Sequence, residues 1–235
     1  MNHTRIGCAS WSIDRESAPR FPVDGSHLER YAQVLNAVEI NSSFYRPHQP
    51  KTYARWADGV PDDFRFSVKL PRSITHDARL ADIADLLARF AGEASALGDK
   101  LGCVLVQLPP SLALHQPVAN AFFQRINDAF HCTIACEARH ASWFSDDATA
   151  LLQRHRISRV IADPPAGQPG PYVPTTDTIY ARLHGSPRIY YSAYDQDYLD
   201  GVAAYVAGKD AWVVFDNTAS GAALPNALSL KQQLA

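Results

Sequence analysis

The chain predicts an α/β fold, a single (β/α)8 parallel barrel, and three observations carry that expectation. Eight short apolar runs have strand length, helical patterns fill most of the gaps between them, and polar residues collect where the strands end. The runs lie at residues 5–10, 37–41, 64–69, 102–107, 133–137, 159–162, 178–184 and 212–215. A doubly wound open sheet fits the same alternation.

The connections are read from their helix signals. Ser26-His-Leu-Glu29 is a capping box that opens a helix through Asn36. Residues 81–97 are rich in Ala and Leu at helical spacing, and Pro117 suits the first turn of a helix reaching Ala129. Ser145-Asp-Asp147 begins another that ends near His155. The run Asp163-Pro-Pro-Ala-Gly-Gln-Pro-Gly-Pro171 leaves no room for a helix, so one irregular crossover is expected between the sixth and seventh strands. Strands flank it closely, and residues 1–235 are read as one domain. No repeat, heptad or low-complexity tail interrupts the pattern.

Composition bounds the function classes. The chain is 46% hydrophobic and 20% charged with a net charge of −2, which argues against bulk attraction to nucleic acid or anionic membrane. The opening Met-Asn-His-Thr-Arg lacks the apolar core of a signal peptide, and no later stretch has the length of a bilayer span. Cys8, Cys103, Cys132 and Cys136 sit in or beside strands, and no Cys-x-x-Cys pair occurs. Cys132 and Cys136 would lie roughly 13 Å apart along a strand, too far for a disulfide. All four read as core residues of a reducing, cytoplasmic setting.

The strand ends carry the chemistry. They read Glu39-Ile-Asn41, Ser67-Val-Lys69, Gln107, Glu137-Ala-Arg139-His140, Asp163, Tyr180-Ala-Arg182-Leu-His184 and Asp216-Asn217. Alternation puts Glu39 with Asn41, Glu137 with Arg139, and Arg182 with His184 on shared faces, while Ile40, Ala138 and Leu183 face the helices. Singly, each polar residue is better explained as a cap or ion-pair partner. Together they converge on the carboxyl mouth, where barrels of this kind place their active sites.

Five motifs carry a resemblance: Glu39-Ile-Asn-Ser-Ser-Phe-Tyr45, Phe66-Ser-Val-Lys-Leu-Pro-Arg-Ser-Ile-Thr-His76, Gln107-Leu-Pro-Pro-Ser111, Glu137-Ala-Arg-His-Ala-Ser-Trp143 and Tyr180-Ala-Arg-Leu-His-Gly185. In order and over nearly the whole chain, they resemble the YecE-like family, catalogued as a domain of unknown function. The resemblance implies a TIM-barrel-like fold and names no reaction. One departure falls in the first loop, where members usually carry Gly-Trp and this chain reads Gly7-Cys-Ala-Ser-Trp11.

A mouth mixing carboxylates with Lys, Arg and His suits acid–base chemistry on a small anionic substrate, phosphate- or carboxylate-bearing and sugar- or nucleotide-like. Glu137 and His184 are the first candidates for proton transfer, with Glu39 as a substitute. Lys69, Arg139 and Arg182 would hold the anion, and Asn41, Gln107 and Asn217 would orient it. Tyr45, His76, His140 and Trp143 would complete the pocket. In a structural alternative Glu39 pairs with Lys69 and Glu137 with Arg182.

Trp11, Phe44, Tyr190, Tyr191 and Tyr194 could stack a sugar or base, yet such residues more often pack a lid. A divalent metal is a second alternative, because Glu39, Glu137, Asp163, His140 and His184 are acceptable ligands. Against it, no His-x-His or His-Glu-x-x-His pair occurs, so no metal ligand is assigned. Such a metal centre would suit a phosphodiesterase or nucleic-acid-processing protein, and Arg72, Arg79 and Arg188 could extend a basic rim for nucleic acid. A non-catalytic ligand-binding barrel is the third reading. No nucleophile elbow, P-loop or dinucleotide fingerprint appears, and no organic cofactor is expected. The oligomeric state is not legible.

Overall fold

The computed structural model describes residues 4–234; the opening Met-Asn-His of the sequence lies outside them. Eight strands run in parallel: β1 (Thr4–Cys8), β2 (Ala37–Ile40), β3 (Arg65–Lys69), β4 (Leu101–Gln107), β5 (Thr133–Glu137), β6 (Ser158–Asp163), β7 (Ile179–Leu183) and β8 (Ala211–Phe215). Their hydrogen-bonded order is β1-β8-β7-β6-β5-β4-β3-β2. The sheet therefore curls until its two ends, β1 and β2, meet in a nearly closed barrel. Among the described residues eight α-helices accompany it: α1 (His27–Ala32), α2 (Ser42–Tyr45), α3 (Pro50–Asp58), α4 (Ala84–Ala94), α5 (Gln116–Ala129), α6 (Asp146–Arg154), α7 (Gln196–Val206) and α8 (Ala223–Gln233).

Side chains complete the β1–β2 seam. Asn36 accepts from Ile6 N (2.8 Å) and donates to Thr4 O (3.0 Å), while the buried Tyr31 hydroxyl accepts from Cys8 N (2.8 Å) and donates to Ala37 O (3.0 Å). Gly7 allows this approach, because a Cβ there would stand 2.0 Å from Ala37 O. The seam also shortens α1. The capping box forms at Ser26 and Glu29 as expected, but the helix ends at Ala32, releasing Asn36 to reach β1. Likewise, α4 begins at Ala84 instead of residue 81 because Arg79, Leu80 and Asp82 hold positive φ angles of 50°, 69° and 50°. Pro117 lies in the first turn of α5, and Ser145 caps α6.

The irregular crossover is held by polar contacts in place of a helix. Thr175 Oγ1 donates to Ile157 O (2.6 Å) and accepts from Arg159 N (2.8 Å), and the Tyr172 hydroxyl donates to Arg159 O (2.9 Å). The Arg159 guanidinium donates to Val173 O, Trp143 O and Thr149 Oγ1 at 3.0–3.1 Å.

Strand alternation makes two cores. Outward residues such as Ile40, Val68, Val104 and Leu183 join the helices in one apolar layer. Inside, small residues (Ala9, Ala37, Cys103, Ala135) leave room for Tyr180 and Trp212, which stack 5.8 Å apart. The four cysteines are unpaired, and burial pushes the thiols of Cys8, Cys132 and Cys136 up to about 12. No described helix is long and apolar enough to cross a membrane.

Tyr31→Phe keeps the ring but strips a buried N–H and C=O of their shared partner. The expected loss is about 1–3 kcal/mol in denaturant unfolding; an unchanged midpoint would show that the seam closes without the hydroxyl.

Candidate functional site

At the carboxyl ends of the strands the inward residues build an ionic cluster around Arg182. This residue follows Tyr180 on the inner face of β7, and its long side chain reaches carboxylates from β2, β5 and the end of β8. Its Nε and Nη2 fork onto Glu39 Oε2 (3.0 Å) and Oε1 (2.7 Å). Nη1 donates to Glu137 Oε2 (2.5 Å) and Nη2 also reaches Asp216 Oδ2 (2.9 Å). Arg182 and Glu39 are 0% exposed and Glu137 2%, so these charges survive out of water only by satisfying one another.

A second ring of contacts fixes the cluster. The Tyr180 hydroxyl donates to Glu39 Oε2 (2.9 Å) and lies 2.7 Å from Ser67 Oγ. Arg139 Nε and Nη2 both grip Glu137 Oε1 (2.9 and 2.6 Å). His184 Nδ1 sits 3.0 Å from Asp216 Oδ2, and its Nε2 approaches Glu137 Oε1 at 3.3 Å without hydrogen-bond alignment. Burial works to raise the Glu137 carboxyl, but Arg182, His184 and Arg139 hold it well below the usual range. Burial likewise opposes the His184 imidazolium, and Asp216 and Glu137 outweigh it, so its pKa rises.

Lys69 stands apart. It is 8% exposed, and among the described residues its Nζ has no hydrogen-bond or ion-pair partner. It sits 4.3 Å from the centroid of the Phe44 ring, on which the His76 ring also packs at 5.0 Å. Burial, then the charge of Arg182, lowers its pKa to about 8 despite Glu39, Glu137 and Asp216. Burial, then Lys69 and Arg72, also lowers that of His76. The pairing of Glu39 with Lys69 entertained from sequence is thus replaced: Glu39 is taken by the forked guanidinium, the better geometric match.

The structure brings Glu39, Glu137, Arg139, Arg182 and His184 into one cluster, with Lys69 and His76 beside it. Gln107, in register with Glu137, is buried at the β4 end and donates to Leu108 O (3.2 Å). Asn41 donates to Ala9 O (3.3 Å) and keeps a buried Oδ1 without a partner among the described residues.

Other residues anticipated for the pocket have different work. Trp143 is 1% exposed and donates from Nε1 to Leu112 O (2.9 Å), packed in the core rather than at the mouth. Asn217 is turned by alternation away from Asp216, and donates to Ser192 O and Asn226 Oδ1 (both 3.0 Å). His140 caps the short helix Ala141–Phe144 by accepting from Ser142 N (3.2 Å). Tyr45 is 74% exposed and borders a cleft of about 280 Å³ that also includes Phe44, Arg46, Pro71 and Arg72 and is lined by none of the ionic cluster's residues.

Asp216, Tyr180 and Ser67 stand among the polar strand ends but have no site role assigned from sequence. Their inward parity with Trp212, Arg182 and Lys69 was the available signal. Above His184 lies Tyr190, in edge contact at 5.9 Å and with a positive φ of 70°.

Among the described residues no three His, Cys, Asp or Glu side chains are arranged to hold a metal ion. Within the cluster the carboxylates Glu39, Glu137 and Asp216 converge on a guanidinium.

These observations define a parallel α/β barrel whose carboxyl mouth is floored by a buried ion network. The chain belongs to the family described as protein of unknown function DUF72, whose model matches residues 5–235. It is 32% identical over 165 residues to the UPF0759 protein YecE of Escherichia coli K12, a match spanning 67% of this chain and 58% of that protein. DUF72 family structures from Enterococcus faecalis (TM-score 0.82, 23% identity, 98% and 95% of the two chains) and Thermotoga maritima (0.81, 24%, 98% of each) share the fold. A sugar phosphate isomerase/epimerase from Parabacteroides distasonis has a more distant barrel (TM-score 0.56, 14% identity, 100% and 95% of the chains).

Two substitutions separate the roles of the cations. Arg182→Gln leaves buried carboxylates uncompensated and is expected to cost about 3–5 kcal/mol at pH 7. In the native protein the stability lent by the lowered Glu137 and Asp216 is present above the ordinary carboxylate range and lost as pH falls through their lowered values. In the variant the slope inverts, because the same carboxylates resist ionising, and unfolding at pH 5 shows a smaller deficit than at pH 7. Lys69→Met does the opposite. Holding the ammonium at about 8 instead of 10.5 costs on the order of 3 kcal/mol below pH 8. The variant should melt higher at pH 7, with the advantage shrinking as pH rises from 8 towards 10.5.

Proposed function

We propose that this barrel is an enzyme performing metal-independent acid–base chemistry on a small substrate bearing a phosphate or carboxylate, bound at the carboxyl mouth. The observation that carries this reading is Lys69, a nearly buried cation with no anionic partner of its own in a cluster where the other cations are paired. An incoming anion would supply that partner, and the half-buried Arg139 guanidinium, which grips Glu137 at the same mouth, could share it.

The proton-transfer roles follow from how the groups are perturbed. Glu137 is gripped on both oxygens and held strongly acidic, which makes it a poor base and a good electrostatic anchor. His184, its pKa raised against burial by Asp216 and Glu137 and its ring oriented through Nδ1 by Asp216, is suited to act as the acid. Lys69 and His76, both lowered, are suited to accept a proton. Glu39 serves by fixing Arg182. The sugar phosphate named for the Parabacteroides barrel is one member of the substrate class; that likeness supports the architecture alone. Four unpaired thiols favour a reducing compartment such as the cytoplasm.

The test is a thermal-shift screen of inorganic phosphate, sugar phosphates and small carboxylates, followed by turnover assays on those that stabilise. A ligand at one hundred times its Kd adds about 2.7 kcal/mol of stability. Arg139→Gln should weaken that ligand roughly ten- to hundredfold, the value of one or more charged hydrogen bonds. Absence of stabilisation by any anion would sink the reading. Stabilisation without turnover would make the protein a binding module.

A further inference from the structure

Anion binding accounts for the positive charge of Lys69 but not for its surroundings. Lys100 Nζ donates to Ala57 O (2.8 Å) and Val60 O (2.6 Å), Lys209 Nζ to Tyr205 O (2.6 Å), and Lys231 Nζ to Val34 O. Lys69, a residue more buried than any of these, brings its Nζ to the face of Phe44. An ammonium carries three donors, so this placement disfavours the charged form and tolerates the neutral amine. The cation–π contact offsets only part of the lost hydration. With the pKa at about 8 in place of 10.5, the free amine at pH 7.5 is about two-hundredfold more abundant than on an exposed lysine. The residue stands at the carboxyl end of β3, where barrels present reactive groups. The His76 imidazole shares the Phe44 ring and has its Nδ1 2.8 Å from Thr75 Oγ1.

We propose that Lys69 is a nucleophile that forms an imine with an aldehyde or ketone whose phosphate or carboxylate group is held by Arg139. The inference rests on the anion-site reading for the charged end of the ligand and adds the carbonyl at the other. In the first step the amine lone pair attacks the carbonyl carbon, and the C=O electrons pass to oxygen, which takes up a proton. The resulting carbinolamine loses a proton from nitrogen, to which His76 is suited as acceptor. Protonation of the hydroxyl then expels water, leaving the protonated imine. The sum is carbonyl compound plus amine plus one proton giving iminium plus water, with no change of oxidation state.

Glyoxylate, a small aldehyde with a carboxylate, is the probe. The wild-type protein is incubated with glyoxylate and cyanoborohydride at pH 7.5, which adds hydride to any iminium and fixes it as carboxymethyl-lysine, and the modified lysines are mapped by peptide mass. Lys69 should be labelled at least about tenfold faster than the exposed Lys51, and excess inorganic phosphate should slow Lys69 alone. The Lys69→Arg protein, which has no amine able to condense with a carbonyl, should lose this labelling while Lys51 is labelled as before. Lys69 labelled no faster than Lys51 overturns the imine, and the anion site then stands or falls on the phosphate shift. Fast labelling of Lys69 without phosphate protection or stabilisation supports the imine and removes the anion reading. The comparison within the wild-type chain holds even if the variant fails to fold.

Discussion

One buried guanidinium organises the mouth of this barrel. Arg182 is held by Glu39 from β2, Glu137 from β5 and Asp216 from the end of β8, so contacts to a single side chain cross the barrel in three directions. Removing any one partner leaves an uncompensated charge in a largely buried place, which makes the arrangement cooperative. Tyr180 and Ser67 support it from below, while Arg139 and His184 steady Glu137 and Asp216 from the rim. The geometry of every other group at the mouth is referred to this floor.

That floor requires a barrel that closes, and closure is the weakest point of the backbone. β1 and β2 are the ends of the hydrogen-bonded order, so side chains from the intervening helix and turn join them. The same joint sets the height of Glu39, which follows Ala37 by two residues on the inner face of β2. Tyr31 holds Ala37 through its carbonyl and thereby helps to hold the carboxylate that Arg182 grips. Seam and site are two levels of one strand.

Most of this architecture could be read from sequence because period, capping and turn chemistry are local. The strands, the Ser145 cap, the Pro-led start of α5 and the helix-free sixth crossover all follow from neighbouring residues. Alternation also placed Glu39, Glu137, Arg182 and His184 on inward faces. It could not tell which carboxylate takes which cation, because the competition among Arg182, Lys69 and Arg139 is settled by side-chain length and fork geometry across the barrel. The short α1 was hidden for the same reason: Asn36 continues a helical pattern locally, but a partner on β1 draws it out. Trp143 and Asn217 look like mouth residues by position in sequence, and both find their hydrogen bonds elsewhere.

The pairing choice also explains how Lys69 can be left alone. Three carboxylates lie close enough to influence it, yet all three are directed at Arg182, whose delocalised fork satisfies several oxygens at once. Lys69 receives their attraction at a distance and the repulsion of Arg182 at the same time. When His184 and Lys69 are protonated, four cations (Arg139, Lys69, Arg182 and His184) face three carboxylates (Glu39, Glu137 and Asp216), leaving one positive charge that a singly anionic group would balance. When Lys69 gives up its proton, the cluster is neutral without any ligand. The buried amine can therefore exist in two states of similar free energy near neutral pH, one that attracts an anion and one that carries a reactive lone pair. A surface lysine has only the first, and an arginine at this position would have only the first as well.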